Sequence, residues 1–139
     1  MLIVPNEGAQ RGLGKKVVVA WNGSREASRA VFDAMPLLQR AGEVRCVWIN
    51  PQSEEAQPLD TPAADICVAL ARQGVKCEAA EAVRPRTNVG FTLLTTALDW
   101  GADLLVMGCY GHSRLREFVL GGASDYVLKH MTIPVLMSH

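Results

Sequence analysis

The residues from Lys16 to Trp21 read KVVVAW, a largely β-branched run with no polar alternation. That is the pattern of a strand covered on both faces, and such strands belong to parallel sheets with helices packed above and below. This run therefore constrains the fold more than any other feature, because the covering layers must come from helices supplied by the same chain.

The following sequence supplies them. Ser24 is placed to cap a helix in which Ala27, Ala30, Val31, Ala34, Met35 and Leu38 recur at the 3.6-residue period; Pro36 is expected to kink its last turn and Gly42 to end it. Glu43 to Ile49 reads as a second strand, and the polar stretch from Asn50 to Thr61 as a flexible loop. Thr61 and Pro62 open a second helix carried by Ile66, Ala69 and Leu70 and closed by Gly74, after which a short strand begins at Val75. A third helix from Asn88 to Trp100 puts Val89, Leu93, Ala97 and Trp100 on one face. Asp103 to Met107, Gly121 to His130 and Ile133 to Met137 follow as strand, helix and strand, with Pro134 confining the last strand to an edge or to its first residue. Strands alternating with helices imply right-handed crossovers and a three-layer, doubly wound α/β sheet of five mainly parallel strands. Ligands of such sheets bind outside the carboxyl ends of the strands, where the winding reverses.

Composition narrows the ligand. With 139 residues, 49% of them hydrophobic and 20% charged, the chain suits one domain with a sizeable core. Fourteen basic against fourteen acidic residues leave no net charge to attract nucleic acid or an anionic membrane, so an anion must be held by a local site. No apolar run reaches membrane-spanning length and Met1 to Val4 is too short for a signal core, which places the chain in the cytoplasm. Cys46, Cys67, Cys77 and Cys109 have no metal-motif spacing, and no metal ligands are assigned. The first three lie in apolar segments and read as small hydrophobes. Cys109 sits in a glycine loop where exposure would permit redox sensing, a minor hypothesis.

That loop, GCYGHSRLREFVLGGAS, begins as the fourth strand of the domain ends and has the spacing Gly-x2-Gly-x9-Gly over Gly108, Gly111 and Gly121, with Gly122 next. Glycines there let backbone N–H groups approach a ligand, and the following helix start adds its own unpaired donors, which together suggest an anion cradle. His112 beside Ser113 and Arg114 could meet a phosphate or simply be a loop histidine. GAQRGLGKK, from Gly8 to Lys16, imitates a phosphate loop, but it has the wrong glycine spacing and a strand follows it; it reads as a linker.

The glycine loop resembles that of ATP-binding universal stress proteins, and KVVVAWNGS, ADLLVMG and IPVLMSH match segments of that family in order over nearly the whole chain. The resemblance implies an adenine nucleotide alpha hydrolase-like fold over residues 15–139 with strand order 3-2-1-4-5 counted from Lys16. It also implies a nucleotide at the carboxyl ends of the first and fourth of those strands. Ile49 would contact the adenine, and Asn22, Gly23, Gly108, Gly111, Gly121 and Gly122 would line the rest. By the same resemblance, Ala123 and Ser124 would continue the phosphate-facing turn. Two residues depart from the pattern. Asn22 stands where ATP-holding members carry aspartate, a change from charged to neutral worth about 1 kcal/mol, and Gly122 stands where a hydroxyl residue is expected unless Ser124 reaches back.

No nucleophile–base pair, metal-ligand set or paired carboxylates accompany the loop, and SGGxDS and HIGH signatures of nucleotidyl transferases are missing. The expected function is a regulatory module that binds ATP, with or without Mg2+, in stress response and hydrolyses it slowly at most. The alternative is a nucleotide-free dimerisation scaffold. Resemblance further implies a homodimer, or a larger even-numbered assembly, through Ile133 to Met137. Residues 1–14 read as an extension or linker whose MLIVP resembles the last strand of a preceding tandem copy, so Leu2 to Val4 is expected as an extra edge strand on its own or a neighbouring sheet.

Overall fold

Val17, Val18 and Val19 are at most 1% exposed, as the unbroken apolar run requires. They lie in a computed structural model that describes residues 1–6, 12–49, 62–83, 88–109 and 122–139. Its elements in chain order are β1 (Leu2–Ile3), β2 (Lys16–Trp21), α1 (Arg25–Arg40), β3 (Glu43–Ile49), α2 (Pro62–Arg72), β4 (Cys77–Val83), α3 (Val89–Trp100), β5 (Leu104–Gly108), α4 (Gly122–His130) and β6 (Val135–Ser138). One sheet runs in the order β1-β6-β5-β2-β3-β4, and every pairing from β6 to β4 is parallel. Without β1 this is the expected five-strand order.

Alternate residues of β2 face opposite layers. Val17 and Val19 join Ala30, Val31 and Leu38 of α1 and Leu70 of α2, whereas Val18 joins Leu93 and Ala97 of α3 and Val127 of α4. Ser24 caps α1 as expected, its Oγ accepting from Ala27 N at 3.1 Å, and the helix passes through Pro36 to Arg40.

Several boundaries shift, each for a local reason. The third strand of the domain, β4, starts at Cys77 and not at Val75, because Val75 N donates to Leu70 O at 3.0 Å and closes α2 around Gly74 (φ +80°). Ala69 is exposed; the face of α2 that meets the sheet runs through Ala63, Ile66, Cys67 and Leu70. Asp103 stays outside β5, where its carboxylate accepts backbone N–H groups. Ile133 and Pro134 precede β6, which begins at Val135, consistent with proline's missing donor.

The outer edge of β6 is occupied. Leu2 pairs with Leu136 and Ile3 with Val135, antiparallel, and Met137 N donates to Met1 O at 2.8 Å. This is the extra edge strand expected from Leu2 to Val4, on the chain's own sheet, but limited to Leu2–Ile3, with Val4 outside it. Among the described residues no helix is long and apolar enough to cross a membrane.

Candidate functional site

The chain leaves β2 through α1 to β3 on one side, while β5 lines the other side of β2, so the winding reverses between β2 and β5. At the carboxyl end of β2 the backbone turns through Asn22, Gly23 and Ser24. Asn22 is exposed, and its Oδ1 accepts from Ser24 N at 3.0 Å. Gly23 has φ +74°, a left-handed conformation that a side chain would strain. The turn therefore delivers the chain directly into the capped N-terminus of α1.

That N-terminus lies against the end of β5. A Cβ built on Gly108 would stand 2.7 Å from both Ala27 N and Glu26 C, so only glycine allows the first turn of α1 to sit there. The positive end of the helix dipole and its first N–H groups are thereby brought to the switch point, a setting suited to an anion. Beyond Gly108, Cys109 N donates to Ser138 O at 2.9 Å. The Cys109 thiol is buried, and burial pushes its pKa up, against the exposed redox role considered for it.

The start of α4 is fixed from below by α3. Asn88 caps α3 by accepting from Gly90 N at 2.7 Å, and a Cβ on Gly90 would be 2.7 Å from Ala123 O. Gly122 is exposed, Ala123 half-buried and Ser124 3% exposed. Val127 packs in one cluster with Met107 and Cys109, tying α4 to the end of β5.

Of the residues singled out in the sequence, Asn22, Gly23 and Gly108 thus sit at the ends of the two neighbouring strands, and Ile49 ends β3 beside β2, paired with Val83. Gly111, His112 and Gly121 lie outside the described residues, as does the loop from Asn50 to Thr61.

The sequence model of the Universal stress protein family matches residues 14–139. The chain belongs to that family. A curated relative, universal stress protein Slr1230 of Synechocystis, is 50% identical over 38 residues; the match spans 27% of this chain and 13% of that protein. A universal stress protein from Archaeoglobus fulgidus superposes with a TM-score of 0.73 at 20% identity, covering 99% of this chain and 48% of the other. A second Archaeoglobus fulgidus structure, in complex with dAMP, gives a TM-score of 0.63 at 19% identity over 89% of this chain and 97% of the other. An Arabidopsis thaliana family member with AMP bound gives 0.62 at 21% identity over 89% and 90%.

Within this universal stress protein fold, two features escaped the sequence reading. Trp48 reaches to 3.8 Å from the Cβ position of Gly23, because β2 and β3 run in parallel with Trp21 opposite Trp48, a register that strand patterns alone do not reveal. Cys46, Cys67 and Cys77, scattered in sequence, meet beneath α2: Cys67 Sγ is 2.7 Å and Cys46 Sγ 3.2 Å from Cys77 Sγ. Hydrogen bonding from Cys46 lowers the Cys67 thiol to about 7 against the opposing effect of burial, while Cys46 is held well above the usual thiol range by its bonds to Cys67 and Cys77. Aligning the period of α2 on Cys67 in place of Ala69 would have pointed to the contact.

Proposed function

We propose that this chain is an adenine-nucleotide-binding regulatory module that takes ATP, with or without Mg2+, at the carboxyl ends of β2 and β5. The observation that carries this reading is the contact between Gly108 and the first turn of α1, which sets a helix N-terminus at the switch point with no side chain in the way. Family structures holding AMP and dAMP on the same fold support it. In this reading Gly108, Gly111, Gly121, Gly122, Ala123 and Ser124 offer backbone donors to phosphates, joined by His112. Asn22, Gly23 and Ile49 face the nucleoside. No residue is assigned a catalytic role, and hydrolysis is slow at most. Binding would stabilise one shape or assembly that partners in a cytoplasmic stress response read.

Melting curves with ATP, AMP and dAMP, each with and without Mg2+, test this. A ligand at 100 times its Kd adds about 2.7 kcal/mol of stability, a rise of several degrees for a domain of this size. No shift at millimolar nucleotide, together with nucleotide-free purified protein, would instead favour the dimerisation scaffold. That second reading draws on β1, which shows that the β6 edge accepts an antiparallel strand. A homodimer or larger even-numbered assembly through β6 then requires β1 to leave that edge or to be exchanged between copies. Light scattering on the full chain and on one lacking Met1 to Val4 distinguishes these: exchange loses the dimer on deletion, direct β6 pairing gains from it, and a monomer in both removes the assembly.

A further inference from the structure

Three elements each contribute one sulfur to a single point at the outer part of the sheet. Cys46 comes from β3, Cys77 opens β4 and Cys67 lies on the sheet-facing side of α2. Their Sγ atoms all lie within 4.8 Å of one another, and among the described residues no histidine or carboxylate joins the group. Cysteines serving only as small hydrophobes would rest against carbon; here the sulfurs are turned towards each other. The arrangement is also held by the backbone. Val44 is opposite Cys77 in the parallel ladder, so Cys46 and Cys77 share a face two residues apart in register. The Gly74 closure ties the end of α2 to the start of β4, fixing the helix that carries Cys67.

We propose that Cys46, Cys67 and Cys77 form a three-sulfur site for a soft monovalent cation, Cu(I). Thiolates select soft ions, and a set of three suits a cation that accepts trigonal coordination; structural zinc takes four protein ligands. Cys46 is fully buried and closes the inner side, whereas Cys67 and Cys77 are half-buried and leave an approach from solvent. On binding, each coordinating S–H is replaced by an S–Cu bond and its proton passes to solvent, so neither copper nor sulfur changes oxidation state. The site lies outside the proposed nucleotide residues and does not depend on that reading.

The test is anaerobic titration of the fully reduced full-length chain with Cu(I) held by a chromophoric chelator. The expected result is withdrawal of one Cu(I) per chain, with X-ray absorption showing three sulfur neighbours. Cys67→Ser and Cys77→Ser, at half-buried positions, should each weaken competition by more than the roughly 10- to 100-fold that losing an outer-sphere partner costs. Cys109→Ser, outside the cluster, should leave it unchanged. Copper remaining with the chelator, retention of copper by Cys67→Ser at wild-type strength, or its loss in Cys109→Ser would each overturn the proposal. Circular dichroism of each variant separates a lost site from a lost fold.

Discussion

The two strands that meet at the switch point are finished in opposite ways at their two ends. At the amino end, the Asp103 carboxylate accepts from Gly14 N and Lys15 N at 3.0 Å and Lys16 N at 3.2 Å, while Asp103 N donates to Lys16 O at 2.9 Å. Three successive backbone donors are consumed by one side chain that locks β2 to β5. At the carboxyl end, Asn22 is exposed, Gly23 turns through positive φ, and Gly108 admits the start of α1 without a side chain between them. One end is bonded to hold register, and the other is the end where the proposed function places the nucleotide. The difference also explains why GAQRGLGKK is no phosphate loop: the N–H groups of Gly14, Lys15 and Lys16 already serve Asp103.

The sharpest way to break this contrast is Gly108→Ala. The new methyl would meet backbone atoms of α1 at 2.7 Å, which cannot swing aside as a flexible side chain would. A loss of about 2–3 kcal/mol is expected, a fall in Tm of roughly 6–12 °C, with nucleotide binding lost even where the chain stays folded. Wild-type stability and affinity would mean that α1 does not rest on β5 as described.

Asp103→Ala should act at the other end and differently. Removing the acceptor shared by three N–H groups is expected to cost about 2 kcal/mol by denaturant melting, with little change in nucleotide Kd measured on the folded protein. The two ends are separated by the length of β2, about 20 Å at the usual strand rise. A large drop in affinity with this variant would show that the ends are not independent.

Asn22→Asp carries a smaller effect and tests the open end alone. The side-chain oxygen that accepts from Ser24 N survives the change, so the turn should persist and stability move by no more than about 0.5 kcal/mol. Restoring the carboxylate is expected to tighten nucleotide binding by about 1 kcal/mol, roughly five- to tenfold by calorimetry. Unchanged affinity would remove Asn22 from the site.

The same contrast marks what the sequence could disclose. The closed core was legible because burial writes itself into periodicity: Val17, Val18 and Val19 of β2 and, of the expected α1 stripe, Ala27, Ala30, Val31, Ala34 and Leu38 are buried, with Met35 half-buried at its margin. Gly108 was legible as a residue type at a strand end, but its reason, the α1 backbone 2.7 Å away, exists only once β5 is placed beside β2. Asp103 reads as strand in the sequence yet stays outside β5, because its role is a long-range hydrogen bond with no local signature. The thiol cluster was hidden for the same reason, since Cys46 and Cys77 meet through strand pairing and Cys67 through helix packing.

The smallest expected effect separates the start of α4 from that of α1. Gly122 stands where the resemblance read from the sequence implies a hydroxyl, and among the described residues a Cβ there would meet nothing within 4 Å, so Gly122→Ser displaces none of them. Replacing glycine in a first helical turn stabilises by about 0.4–1 kcal/mol through the unfolded chain, whatever the ligand does. If phosphates rest on α4, the new hydroxyl adds one hydrogen bond of about 0.7 kcal/mol, a gain in affinity of roughly threefold over the wild type. Calorimetry together with ligand-free melting keeps the two contributions apart. A higher Tm with unchanged Kd would remove α4 from the phosphate site and leave the open ends of β2 and β5, under the first turn of α1, as the receiving surface.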